Sequence, residues 1–282
     1  MNLGSMKTTL PILRNSLYFF LTGVLFASLN PARAVGDTIA FSSGENIYTM
    51  NTDGTNLITL TRGSTPSWSP VGTRIVYSFG LGRFRGDVSD IYIVGANGAN
   101  RVNLTKVRHK NNGVPAWSPD GTKIAFDSNR DNNREIYVMN ADGKNSINLT
   151  LHPDFDTWPT WSPDGRKIAF QSMKVAVGME NHSDIFVMDA DGTSPVRLTE
   201  DARFNLFPSW SPDGKRIAFV RATHDDITDC DIYVMNADGT GLVNLTQTPG
   251  VGEWHPSWKP SPFSVSSRAK LPVIWGAVKQ KR

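Results

Sequence analysis

The sequence has little cysteine, no acidic residues near either end and no apolar run of membrane-spanning length. Its single cysteine, Cys230, excludes an intramolecular disulfide framework and a zinc site built from several cysteines. Residues 17–29 form an apolar run of 13 residues, whereas a membrane-spanning helix needs about 20. The sequence also lacks a Gly-x-Ser-x-Gly nucleophile motif and a phosphate-binding glycine loop. These absences leave no recognisable catalytic motif.

The charge is distributed unevenly along the 282 residues. The whole chain has 29 basic and 26 acidic residues, which gives a formal net charge of +3. Residues 1–34 carry three of the basic residues, residues 263–282 carry five, and neither segment has an acid. The middle of the chain therefore keeps 29 − 3 − 5 = 21 basic residues against all 26 acids, a net of −5. An acidic body disfavours a nucleic-acid partner, because phosphates require a basic surface.

The amino terminus has the three-part layout of a secretory signal peptide. Lys7 and Arg14 precede the apolar run, and an Asn-Pro pair and an Ala-Arg-Ala cleavage pattern ending at Ala34 follow it. We predict that residues 1–34 are a signal peptide, with an uncleaved anchor as the alternative. The mature protein is then exported, to the periplasm or the extracellular space, and has no transmembrane span.

Five Pro-x-Trp motifs recur at spacings of 44 to 49 residues, centred on Trp68, Trp117, Trp161, Trp210 and Trp258. In three units the motif continues as Pro-x-Trp-Ser-Pro-Asp-Gly and is followed by Ile-Ala-Phe, an apolar run ending in Val-Met, an Asp-Gly pair and Leu-Thr. Ser-Pro-Asp-Gly and Asp-Gly are turn signals, and the apolar runs between them have strand composition. The pattern predicts four antiparallel strands per unit, here called A to D, which is the organisation of a propeller blade.

The repeat count predicts an all-β fold, a single β-propeller of five four-stranded blades over residues 35–262. The first strand, at Ile39, has the B pattern, and the last, at Trp258, has the A pattern. The carboxy-terminal strand is thus expected to complete the first blade and close the ring, which removes exposed sheet edges. A six-bladed ring is the alternative. We expect the five repeated Trp side chains to pack between blades.

These motifs resemble the TolB-like, WD-repeat-like propeller family of exported bacterial proteins, over about residues 37–262. The resemblance implies a protein-binding role in the cell envelope. We expect this chain to lack the amino-terminal α/β domain that TolB itself carries, which leaves open whether the Tol–Pal role of the relatives applies.

One face of the predicted propeller carries the B–C and D–A loops, which vary in length, and binding residues concentrate in such loops. All five histidines fall there, together with Trp158 and Trp254. On the same face the loops of unit 2 are basic and those of unit 5 are acidic. There are alternatives to partner binding. The histidines lie in loops because polar residues avoid strands, or some of them bind a metal, and the aromatic side chains cap the ends of blades. The predicted partner-binding residues are Arg83, Arg85, Arg108, His109, His152, Trp158, His182, Phe207, His224, Trp254 and His255.

We expect no cofactor. A calcium ion held by the acidic cluster of unit 5 is the alternative, with Asp225, Asp226, Asp229 and Asp231 as ligands. Residues 263–282 form a basic tail with an apolar patch around Trp275, and we predict that it either docks on the propeller or serves sorting.

Together these observations predict an exported, monomeric binding module with a protein partner and no catalytic site. The alternative is a carbohydrate-active enzyme or carbohydrate-binding protein, because five-bladed propellers also host glycosidases. A glycosidase needs two carboxylates within about 10 Å of each other, and the predicted channel-lining strands contain mainly Pro, Trp and Ser.

Overall fold

A computed structural model describes residues 38–80, 88–106, 110–174, 182–201, 203–222, 229–247 and 252–258. These residues form 19 β-strands, and the described segments contain no helix. The described part of the chain therefore contains no helix that could span a bilayer. The signal segment 1–34 and the tail 263–282 lie outside the described residues.

The strands group into five successive units that follow the repeat. Unit 1 has three strands, β1 (Thr38–Ser43), β2 (Asn46–Asn51) and β3 (Ile58–Arg62). Unit 2 has β4 (Ser64–Trp68), β5 (Arg74–Gly80), β6 (Ser89–Gly95) and β7 (Val102–Asn103). Unit 3 has β8 (Asn112–Trp117), β9 (Lys123–Ser128), β10 (Glu135–Asn140) and β11 (Ile147–Asn148). Unit 4 has β12 (Phe155–Trp161), β13 (Lys167–Met173), β14 (Ser183–Asp189) and β15 (Val196–Arg197). Unit 5 has β16 (Phe204–Trp210), β17 (Arg216–Ala222), β18 (Cys230–Asn236) and β19 (Val243–Asn244).

Within each unit the strands pair antiparallel in chain order, as the repeat predicts. A single parallel pair, Ser183 with Phe204, joins the sheets of units 4 and 5. The A strands β4, β8, β12 and β16 contact one another from unit to unit. These contacts identify them as the inner strands of a propeller-like arrangement.

The repeated turn motifs form the predicted turns. In unit 3 the N–H of Gly121 donates to the Ser118 carbonyl at 2.9 Å, and the Ser118 hydroxyl donates to Asp120 at 2.6 Å. Gly121 has a φ of +71°, which glycine adopts at little cost. The Ser-Pro-Asp-Gly signal therefore joins strands A and B.

The recurring Leu-Thr fixes the short outer strand to strand C. In unit 4 the Thr199 hydroxyl accepts a hydrogen bond from the N–H of Ile185 at 3.0 Å and donates to Asp184 at 2.9 Å. The Asn before Leu-Thr is also structural, because Asn244 donates to Asp231 at 2.8 Å. The Asn-Leu-Thr motif thus recurs with strand D, which accounts for its match to a glycosylation signal.

Four core clusters lie between consecutive units. One contains Trp161 and Ile168 of unit 4 with Ala116, Ala125 and Ile136 of unit 3. The first four repeated Trp side chains are 7 to 8% exposed, and the indole N–H of Trp161 donates to the Ala116 carbonyl at 3.2 Å. The predicted packing of these side chains between blades is confirmed.

The closing contact is only partly visible in the described residues. Residues 252–258 have no strand assignment among the described residues. The sheet of unit 1 accordingly consists of the three strands β1, β2 and β3. The indole N–H of Trp258 nevertheless donates to the Ser209 carbonyl at 3.0 Å, as Trp161 does to unit 3. The propeller-like all-β fold is thus established, whereas ring closure and the blade number remain predictions.

Candidate partner-binding site

Strained residues recur at one repeat position, on the inner strands β4, β8, β12 and β16 and in the segment 252–258. In each unit the residue before Pro-x-Trp has a positive φ between +44° and +58°, and the register of each described A strand shifts there. Such a conformation is uncommon for bulky residues, and local strain of this kind concentrates at functional sites. The five residues are Thr65, Val114, Trp158, Phe207 and His255.

Side chains of the preceding blade hold this strained backbone. The N–H of Val114 donates to the Ser78 hydroxyl at 3.2 Å, and the N–H of Phe207 donates to the Gln171 side-chain oxygen at 3.2 Å. In the interface between them, the Trp158 N–H faces the Asp127 carboxyl and lowers its pKa. Each bond joins strand B of one unit to strand A of the next, so the conformation is built into the interblade contacts.

Three of these five residues are aromatic and contact one another. The ring centroids of Trp158 and Phe207 are 4.5 Å apart in an edge-to-face arrangement, and those of Phe207 and His255 are 4.2 Å apart. Trp158 and His255 are 5.1 Å apart, and the 41% exposed Trp254 lies 6.0 Å from Phe207. We call Trp158, Phe207 and His255 the aromatic cluster.

The aromatic cluster borders a small cavity of about 40 Å³ between the inner strands β8, β12 and β16 and residues 255–257. Its walls also include Val114 and the prolines of four of the five Pro-x-Trp motifs. The equivalent residues of units 2 and 3, Thr65 and Val114, are smaller. The aromatic side chains at this repeat position are therefore confined to units 4 and 5 and to residue 255.

The aromatic cluster is uncharged near neutral pH. Burial lowers the pKa of His255 to about 4, because desolvation disfavours the imidazolium. Below the cluster, burial raises the pKa of Asp127, while its ion pair with Arg134 and the Trp158 N–H oppose that rise. The surface of the site is thus apolar and aromatic, and the charged Asp127 and Arg134 lie beneath the aromatic cluster.

A second buried carboxyl, Asp156, lies two residues before Trp158 in β12. The residue is fully buried, and its Oδ2 is 3.1 Å from Nε2 of His152. Burial raises the pKa of Asp156 to about 6, and the Ser172 hydroxyl and His152 lower it. Asp127, Arg134 and Asp156 were not predicted as site residues; the only sequence signal was the departure of Asp156 from the Asn at the same repeat position in units 3 and 5.

The structure corrects the predicted location of several site residues. Trp158 and Phe207 lie inside strands β12 and β16 and not in D–A loops, because both strands begin before the register shift, at Phe155 and Phe204. His255 occupies the equivalent inner position, whereas Trp254 matches Thr157. His152 and His182 lie outside strands as predicted, and Nε2 of His182 is 3.7 Å from Asp184. The remaining predicted residues, Arg83, Arg85, Arg108, His109 and His224, are outside the described residues.

The thiol and acidic groups of unit 5 have structural contacts. Cys230 is buried and donates to the Glu253 carbonyl at 3.2 Å, and burial raises its pKa to about 11. Asp231 accepts the hydrogen bond from Asn244 that fixes strand D. Among the described residues no three His, Cys, Asp or Glu side chains converge as a metal site would require, while Asp225 and Asp226 lie outside that part, so the calcium alternative remains a prediction.

The sequence matches the family described as the TolB beta propeller domain over residues 38–260. The chain belongs to the TolB β-propeller family. A structure assigned as TolB from Agrobacterium tumefaciens is 25% identical with a TM-score of 0.66, and the alignment covers 78% of this chain and 81% of that one. TolB from Acinetobacter baumannii is 22% identical with a TM-score of 0.64, and 79% of this chain aligns with 55% of that one.

This TolB-family chain thus corresponds to little more than half the length of the Acinetobacter protein. An oligogalacturonate lyase solved with manganese shares the fold, with 16% identity, a TM-score of 0.55 and alignment over 73% of this chain and 61% of that one. No match was found among proteins of curated function.

Proposed function

We propose that the mature protein is an exported, envelope-associated binding module that captures a protein partner through the aromatic cluster. The observation that carries this proposal is the mutual contact of Trp158 in β12, Phe207 in β16 and His255 in the segment 252–258, each in a strained conformation. A packing role alone does not require three aromatic residues at positions where Thr and Val suffice in units 2 and 3.

The chemistry of the cluster suits a protein partner. Aromatic side chains lose little entropy on binding and dominate the hot spots of interfaces. The partly buried, neutral His255 adds a ring without a charge that a partner must desolvate. Trp254 extends the same surface outward, where it is exposed.

The proposal also includes the surrounding loops and the closed ring. The B–C and D–A loops, with His152 and His182 at their edge, form the rim of the contact surface. We propose five blades, with residues 256–258 completing unit 1, a cleaved signal peptide over residues 1–34 and a monomeric mature protein. The Trp258 contact to unit 5 supports this closure.

Site-specific photocrosslinking in exporting cells tests the partner site. A photoreactive phenylalanine analogue replaces Phe207, and a matched one replaces Val196, which is 54% exposed on the outer strand β15. We expect a discrete protein adduct at position 207 that is absent at position 196 and disappears when Trp158→Ala is added. Identical adducts at both positions, or none at 207, would contradict the proposal.

Carbohydrate binding is the second candidate, because exposed Trp rings also stack on sugars, and the cluster borders a cavity lined by rings. A glycan panel probed with the mature protein and with Trp158→Ala distinguishes the two. Binding or cleavage of a glycan that requires Trp158, without a protein adduct at position 207, would favour this candidate.

A further inference from the structure

The repeat provides an internal comparison for Asp156. Five residues before the repeated Trp, units 3 and 5 have Asn112 and Asn205, and unit 4 has Asp156. All three side chains are fully buried. They occupy the same register, opposite Ser128, Arg221 and Ser172 on their B strands.

The two Asn side chains join neighbouring blades. Nδ2 of Asn112 donates to the Ser89 carbonyl at 3.0 Å, and Nδ2 of Asn205 donates to the Ser183 carbonyl at 3.1 Å. Each acceptor is the residue that starts strand C of the preceding unit. An ionised carboxylate has no proton to donate, so Asp156 can reproduce this bond only as a neutral acid.

The groups around Asp156 connect it to Trp158. Its N–H donates to the Arg134 carbonyl at 2.8 Å, and the Arg134 guanidinium pairs with Asp127, whose carboxyl faces the Trp158 N–H. His152 and Asp154 face the carboxyl from the D–A loop, and the Thr150 and Ser172 hydroxyls lie beside it. The protonation state of one buried group is therefore linked to the backbone that carries the aromatic cluster.

We propose that Asp156 and His152 form a proton-responsive contact between units 3 and 4, which positions Trp158 and so regulates partner binding by pH. Its biological meaning rests on the proposed function. As a neutral acid, Asp156 acts as Asn112 and Asn205 do and holds β12 against unit 3. After ionisation the carboxylate depends on His152, and the interblade contact loosens.

Comparison of the mature protein with Asp156→Asn tests the contact without a partner. The ratio of their unfolding equilibrium constants cancels the titrating groups that do not interact with Asp156. Because the pKa of Asp156 is raised from 3.8 to about 6, we expect this ratio to rise about 60-fold in favour of Asp156→Asn between pH 4 and pH 7.5. The partly buried neighbour provides the comparison variant, Asp154→Asn, whose ratio should change far less than that of Asp156→Asn.

A local measurement separates positioning from stability. The fluorescence of Trp158, taken as the difference from Trp158→Phe, should change between pH 5 and 7 in the otherwise unchanged protein and not in Asp156→Asn. His152→Gln should move the midpoint to higher pH, because the imidazole favours the ionised carboxyl. A flat stability ratio, or a Trp158 signal that titrates unchanged in Asp156→Asn, would overturn the proposal. Neither result depends on the identity of the partner, so this failure is distinct from a failure of the photocrosslinking.

Discussion

Removal of the Trp161 side chain should destabilise the propeller far more than removal of an exposed Trp. Trp161 is 8% exposed, packs against residues of units 3 and 4 and donates to the Ala116 carbonyl. Truncation of a buried Trp to Ala costs about 3–5 kcal/mol, because it removes apolar contacts and leaves a cavity. We therefore expect Trp161→Ala to lower the free energy of unfolding by about 4 kcal/mol.

Two further variants separate packing from hydrogen bonding. Trp161→Phe keeps most of the ring but leaves the Ala116 carbonyl without its donor, which should cost about 1–3 kcal/mol. Trp254→Ala, at a 41% exposed position, should cost under about 1 kcal/mol. Urea unfolding followed by far-ultraviolet circular dichroism measures all three. If Trp161→Ala costs no more than Trp254→Ala, the packing of repeated Trp residues between blades does not stabilise the fold.

Two other predictions concern a titrating group and a buried hydroxyl. His255 has a pKa of about 4 in the fold against 6.5 for the free side chain, so the unfolded chain binds its proton first and stability is lost as the pH falls from about 6.5 to 4. Relative to His255→Asn, whose side chain does not titrate and tolerates positive φ, the loss should reach at most about 3 kcal/mol at pH 4 in chemical unfolding; a difference that is constant with pH would refute the burial of this ring. Thr199→Val removes the bonds to Ile185 and Asp184 and should cost about 1–3 kcal/mol and speed amide exchange at Ile185; unchanged exchange there would show that the Leu-Thr motif does not anchor strand D.

Most of the fold could be predicted from the sequence because its signals are local and repeated. Turn residues such as Asp120 and Gly121 specify connections within a few residues, and the spacing of Trp117 and Trp161 gives the unit length. The family match over residues 38–260 agrees with the predicted propeller repeat. The proposed ring closure would join residues far apart in sequence, so it is predicted only from the complementary strand patterns at Ile39 and Trp258.

The candidate site was less predictable because it depends on backbone conformation. A residue between a short loop and Pro-x-Trp was expected to be part of the loop, whereas the inner strands begin earlier and contain a bulge at Trp158 and Phe207. The same limit applies to Asp127, because its ion pair with Arg134 and its contact with Trp158 of the next blade depend on the folded chain. Comparison of equivalent repeat positions could have identified Asp156, since Asn112 and Asn205 precede the same motif.

The affinity of the partner identified by photocrosslinking tests the central claim most directly. Its dissociation constant should be measured for the mature protein, for Phe207→Ala and for the matched outer-strand variant Val196→Ala. Loss of a hot-spot aromatic side chain costs about 2 kcal/mol or more, so Phe207→Ala should weaken binding by about 30-fold or more, while Val196→Ala should leave it within twofold. Equal affinities for the mature protein and Phe207→Ala would contradict the assignment of the aromatic cluster as the binding site.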